Sequence, residues 1–385
     1  MRLRAALISL AGSQAVVAGR SLALRQLDFA LAAGATRIYA LGDGASPAAL
    51  ALAQAAEQAG ARCQAIRDGR GLLGTLAASD ELLVLVARLL PESREALERL
   101  ATPGILTLPA VAGVGAGFER IDLERASAGA LVVPGALVER LADLPADYEP
   151  AAALLRIALQ AGVAERRLPE AALSDGAWAL AGDAAAAAEL GDRWLDRRIR
   201  QAPRYALSAR VAEVALRGLA LRLLDMPGAA RGLAAVALVL QLGAAALCAW
   251  VSPAAGFGVL ALGAAGGVFA ERFGALARAP SVRARRVWTS GLSEALTDAA
   301  LVACAALAIP GETVHRLFAP LVLIAALRAS RIAGWPGAAA LLGDRALLAV
   351  GFAAAAGFGR TEPAIMLAGL AILLLQIARE PAKVG

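Results

Sequence analysis

Ala270-Glu271-Arg272-Phe273-Gly274-Ala275-Leu276-Ala277-Arg278, then a basic loop with Arg283, Arg285 and Arg286, then Ser290-Gly291-Leu292-Ser293-Glu294-Ala295-Leu296-Thr297-Asp298: this stretch lies between two long apolar segments. Glu294 and Asp298 are four residues apart and so share one face of a helix. Ionisable groups in an apolar span are costly enough to be functional candidates by default. Two readings follow. The pair holds a divalent cation whose shell is completed by phosphate oxygens, as magnesium accepts. Alternatively, Glu294 or Asp298 forms a structural ion pair with Arg278, Arg283, Arg285 or Arg286 and ties two spans together.

The apolar surroundings extend well beyond this stretch. Hydrophobic residues make up 59% of 385 residues, and the mean hydropathy of +0.63 exceeds that of an ordinary soluble chain. The charge is uneven: residues 1–200 carry 21 basic and 23 acidic groups, and residues 201–385 carry 17 and 9. A basic excess beside apolar spans suits anionic lipid, and no aromatic-basic interleaving or zinc pattern points to nucleic acid. Lys383 is the only lysine, which excludes a P-loop or a Schiff base upstream of it. The dominance of Arg and Ala is that of a GC-rich bacterial genome. Cys63, Cys248 and Cys304 are far apart and His315 is the only histidine, so no zinc site or Cys/His pair is expected. Ala5 to Leu10 is too short for a cleavable signal.

After Pro227 six apolar spans are expected, at about 228–250, 254–270, 288–309, 314–327, 338–358 and 363–377. Arg278, Arg283, Arg285, Arg286, Arg328, Arg331, Arg345, Arg379 and Lys383 fall on one side of them and Arg316 and Arg360 on the other. The positive-inside rule then places both termini in the cytoplasm of a bacterial inner membrane. Upstream, Val211, Val214, Gly218 and Leu221 mark the apolar face of a helix. That helix suits the membrane surface, with Trp194 and Tyr205 as interface anchors, or else packs on the N-terminal domain.

The opening stretch, with these spans around it, resembles the signature of the CDP-alcohol phosphotransferases, D-x-x-D-G-x-x-A-R followed by G-x-x-x-D-x-x-x-D. In that family four Asp from two neighbouring transmembrane helices bind divalent metal against the pyrophosphate of a CDP-alcohol. The resemblance implies that Glu294 and Asp298 are the catalytic and metal-binding carboxylates, with Mg or Mn as cofactor. It implies that Gly274, Ala277, Arg278, Arg283, Arg285 and Arg286 bind the substrate, and that the protein is a homodimer. Ala270 and Phe273 stand where the first two Asp belong, and an apolar side chain offers a hard cation no oxygen.

From Ala5 to about Gln160, apolar runs alternate with amphipathic stretches, the pattern of a layered α/β domain. Strands are expected at 5–9, 37–41, 62–66, 81–85 and 105–108, and helices at 22–33, 47–59 and 93–100. Ala6-Leu7-Ile8-Ser9-Leu10-Ala11-Gly12, Gly19-Arg20-Ser21-Leu22 and the helix running into Ala33-Gly34 resemble the first βαβ unit of the sugar nucleotidyltransferases. The family's phosphate loop is shortened here to Ser13-Gln14-Ala15-Val16-Val17, without Gly, Arg or Lys, and Ala87-Arg88 replaces its metal Asp. Asp43, Asp122, Asp143 and Asp147 read as turn and cap residues.

The expected architecture is therefore an α/β nucleotidyltransferase-like domain over 1–191, a basic hinge and amphipathic juxtamembrane helix over 192–227, and an all-α six-helix transmembrane domain over 228–385. This combination resembles the bifunctional inositol-phosphate cytidylyltransferase and phosphodiester synthase. Two functions follow: phospholipid or polar-head phosphodiester synthesis from a CDP-alcohol or other nucleotide-linked donor with an incomplete site, or a non-catalytic nucleotide- or lipid-binding scaffold.

Overall fold

The computed structural model describes residues 3–12, 15–145, 148–199, 207–224, 226, 228–277, 288–333 and 341–378, with backbone alone at 184, 288–292 and 331–333. The chain divides into two compact units, one over Met1–Arg198 and one beginning at Ile199.

The first unit is α/β. Its strands are β1 (Arg4–Ser9), β2 (Val16–Val17), β3 (Arg20–Ser21), β4 (Arg37–Leu41), β5 (Arg62–Ile66), β6 (Glu81–Leu85), β7 (Leu89–Pro91), β8 (Gly104–Pro109), β9 (Arg125–Pro134), β10 (Glu165–Arg167) and β11 (Trp178–Leu180). Its helices are α1 (Leu22–Ala32), α2 (Pro47–Gln58), α3 (Arg94–Arg99), α4 (Ala110–Gly115), α5 (Gly135–Val138), α6 (Pro150–Gln160), α7 (Ala171–Ser174) and α8 (Ala184–Ile199). Seven strands form one sheet in the order β10-β8-β9-β6-β1-β4-β5. All neighbours are parallel except β9, which runs antiparallel to β6 and β8. The central strands β1 and β6 read as unbroken apolar runs because both of their faces are covered. Ala6, Ile8, Leu83 and Leu85 pack with Leu27 of α1 and Leu52 of α2. Ala5, Leu7, Leu82 and Val84 pack with Leu154 and Ala158 of α6 on the other face.

The helices begin where small hydroxyls can cap them. Ser21, Ser46 and Ser93 accept hydrogen bonds from the Leu24, Ala49 and Ala96 N–H groups, and Pro47 opens α2. Strand β9 was not expected from the sequence. Its Gly129 has φ +75°, and a Cβ there would lie 2.6 Å from Val86 Cγ2.

Residues 192–199, expected to begin a hinge, form the second half of α8 instead. Trp194, expected as a membrane-interface anchor, is buried in the first unit with Nε1 donating to Glu92 Oε2 at 2.9 Å. The cause is electrostatic as well as apolar. Its ring lies 4.6 Å from the Arg25 guanidinium and 5.0 Å from that of Arg198, a double cation–π contact. Tyr205 lies outside the described residues.

The second unit is helical: α9 (Leu207–Leu224), α10 (Ala229–Trp250), α11 (Pro253–Ala277), α12 (Trp288–Ala308), α13 (Thr313–Ala333), α14 (Arg345–Gly357) and α15 (Thr361–Ile377). Among the described residues three helices are long and apolar enough to cross a membrane, Ala229–Trp250, Pro253–Ala277 and Thr313–Ser330. Helix α14 has 13 residues, about 20 Å at 1.5 Å per residue against the ~30 Å of a hydrocarbon core. The core joins Phe257 to Phe352 edge to face at 5.8 Å and includes Cys248 and Cys304. Helix α9 buries its small face, Ala209, Ala212, Leu216 and Ala220, in this unit, where it packs on α11. Its Val211 and Val214 remain exposed.

Candidate functional site

Asp298 sits on α12 with 3% of its surface exposed, and both of its carboxylate oxygens are taken. Oδ2 accepts from Arg328 of α13, at 3.0 Å from Nε and 2.8 Å from Nη2. Oδ1 accepts from Nε of Arg345, the first residue of α14, at 3.0 Å. The Arg345 side chain is 12% exposed and that of Arg328 53%. Beside them Asp344 caps α14, its Oδ1 accepting from the Ala346 and Leu347 N–H groups. Its Oδ2 accepts from the Ser208 N–H of α9 at 2.7 Å. One carboxylate thus meets two guanidiniums, Asp344 is spent on backbone N–H groups, and Asp298 ties three helices together.

A neutral polar network lies one residue away. Gln241 of α10 is buried, and its Nε2 donates to Thr297 Oγ1 at 3.0 Å and to the Gly263 carbonyl at 3.3 Å. Thr297 in turn donates to the Ser293 carbonyl at 2.9 Å. Gly263 and Gly267 let this happen, since a Cβ on either would come within 3.0 to 3.1 Å of Gln241 or Ser293 atoms.

The chain matches no family model and no curated protein. The reading of the site therefore rests on its residues.

Glu294 is half-buried one turn before Asp298. Gly274 and Ala277 lie in the last two turns of α11, Gly274 half-buried beside Ala230 and Ala277 exposed. Arg278, Arg283, Arg285 and Arg286 lie outside the described residues. The ion pair expected with one of those arginines therefore lies outside the described residues, and Asp298 instead pairs with Arg328 and Arg345. Ala270 and Phe273 are buried, Phe273 stacked with Phe269 at 6.5 Å, so apolar packing fills the two positions at which the resemblance would expect carboxylates. Glu271 is exposed and supplies no replacement. Among the described residues no three His, Cys, Asp or Glu side chains gather into a cluster that could hold a metal ion. Mg or Mn does not fit Asp298 as it stands. A cation there would compete with both guanidiniums and leave the largely buried Arg345 without its partner. His315, the only histidine, meets Glu362 at 3.0 Å across the starts of α13 and α15.

In the α/β unit, Arg88 occupies the position where the resemblance to the nucleotidyltransferases leads one to expect a metal carboxylate. Arg88 follows β6 with φ +61°. It donates to the Gly182 carbonyl at 2.9 Å, and it packs so closely on Gly12 that a Cβ there would lie 2.3 Å from its Nε. Asp43 and Asp122 behave as turn residues, accepting from the Ala45 N–H and from the Glu124 and Arg125 N–H groups. Asp147 lies outside the described residues. The Glu92 side chain, 5% exposed, is paired with Arg25 and bonded by Trp194 and Arg198. Burial pushes its carboxyl up, but the Arg25 and Arg198 guanidiniums outweigh this and hold it below the usual range.

Proposed function

We propose that this is a membrane-embedded, non-catalytic scaffold or binding protein built on a CDP-alcohol phosphotransferase framework. The single observation that carries this reading is the engagement of both Asp298 oxygens by Arg328 and Arg345. A metal-binding carboxylate faces its cation, whereas both oxygens of this one face guanidiniums that hold α12, α13 and α14 together and whose positive charge disfavours a cation beside them. Buried Ala270 and Phe273 agree with that role.

Six spans remain the proposed membrane topology, with α12 and the shorter α14 and α15 completing a bundle led by the three longer helices. The arginine distribution supports cytoplasmic termini at a bacterial inner membrane. The exposed apolar side of α9 supports a helix lying at the membrane surface. The α/β unit is proposed not to transfer nucleotides, because Arg88 stands where a metal carboxylate is needed.

The test is CMP release by the purified full-length protein from a panel of CDP-alcohols with magnesium or manganese. Release at background level in wild type, Glu294→Gln and Asp298→Asn is expected. Metal-dependent release that both substitutions abolish without unfolding the protein would restore the enzymatic reading.

A further inference from the structure

A cavity of about 300 Å³ opens in the α/β unit beside Ser9 at the carboxyl end of β1 and Val86 just after β6. This is where the chain, having laid β4 and β5 on one side of β1, crosses to lay β6 and β9 on the other. Open α/β sheets bind ligands at such switch points, and 300 Å³ is room for a small molecule.

The chemistry of the lining defines what fits. Glu119 and Glu149 line the cavity and, among the described residues, no Arg, Lys or His does. Phe118 contributes a buried aromatic ring. Two buried hydroxyls, Ser9 and Ser127, accept from the Ala11 and Gly129 N–H groups at 3.3 and 3.1 Å, which leaves each O–H able to donate. The amino end of α6 also borders the cavity and by itself would attract an anion. Glu149 answers that charge, accepting from the Ala152 N–H at 2.6 Å. Arg156 approaches Glu119 only to 3.9 Å, with both side chains largely in water.

With Glu149 offsetting the helix end, Glu119 leaves the lining negative beside an aromatic ring, which disfavours phosphate and suits a positive charge on a small organic body. We propose that this cavity binds a small organic ammonium ion. The assignment is independent of the helical unit and stands whether or not that unit releases CMP.

Isothermal titration calorimetry on the detergent-solubilised full-length protein tests it, with choline and ethanolamine as probes and CTP and inorganic phosphate as anionic counter-probes. Binding of an ammonium probe is expected, with affinity reduced roughly tenfold in Glu119→Gln, as for loss of one close charge partner. Glu149→Gln should reduce it likewise. The Glu119 side chain is about half exposed, so Glu119→Gln should keep the wild-type melting temperature and report binding alone. Absence of binding by both ammonium probes, preferential binding of CTP or phosphate, or ammonium binding unchanged in both variants would each overturn the proposal.

Discussion

Glu92 in the α/β unit and Asp298 in the helical unit are both buried carboxylates that gather guanidiniums, and they differ in how much water their partners keep. Arg25, the close partner of Glu92, has a side chain only 5% exposed. Arg328, one of two partners of Asp298, is 53% exposed. An arginine that can turn to solvent loses little when its carboxylate is removed, and one that cannot becomes an unpaired buried charge. The same ion-pair motif therefore carries different amounts of stability in the two units.

The largest effect should come from Glu92→Ala. It strands Arg25 and removes the acceptor for Trp194 and Arg198, with an expected loss of ~3–5 kcal/mol. Tryptophan fluorescence during denaturation would show it, and an unchanged midpoint would break the comparison. Asp298→Asn should cost less, ~1–3 kcal/mol, because Arg328 is free to hydrate. Within that site Arg345→Ala should destabilise more than Arg328→Ala, since Arg345 is the drier partner. Thermal unfolding in detergent orders the three variants.

How far these sites were legible follows from what local sequence can carry. Strands β1, β4 and β6 are short, mainly apolar runs between turn residues, and they fall where the pattern places them, as does the more polar β5. Strand β9, Arg125-Ala126-Ser127-Ala128-Gly129-Ala130-Leu131-Val132-Val133-Pro134, is half small residues with a left-handed glycine inside, so no period marks it. Asp298 was legible because a carboxylate in an apolar span is conspicuous. Its partners were not, lying 30 and 47 residues away in sequence. Gln241, an amide within a long apolar helix, carried a weaker signal of the same kind and went unread. Trp194 misled because an aromatic beside arginines looks the same at a membrane interface as in a cation–π stack.

A third test separates the α/β unit by pH. Burial pushes the Asp28 carboxyl up to about 6 against the pull of Arg20, with which it pairs at 2.8 Å. Its unfolded value is ~3.9. Between these values the folded chain holds a proton that the unfolded chain has released. Stability should therefore fall as pH rises from about 4 to about 6, by ~1–3 kcal/mol. Asp28→Asn should flatten that slope in a pH series of melting curves. The smallest effect belongs to an exposed pair: Glu213→Gln, which breaks a 2.8 Å contact with half-exposed Arg217 on α9, should change stability by ~0.5 kcal/mol or less.

The most direct test of the central claim, that Asp298 is a structural ion-pair centre, is a double-mutant cycle joining Asp298→Asn and Arg345→Gln in the detergent-solubilised protein. A coupling free energy of ~1 kcal/mol or more between the two sites is predicted. Additive effects within ~0.3 kcal/mol would contradict the claim.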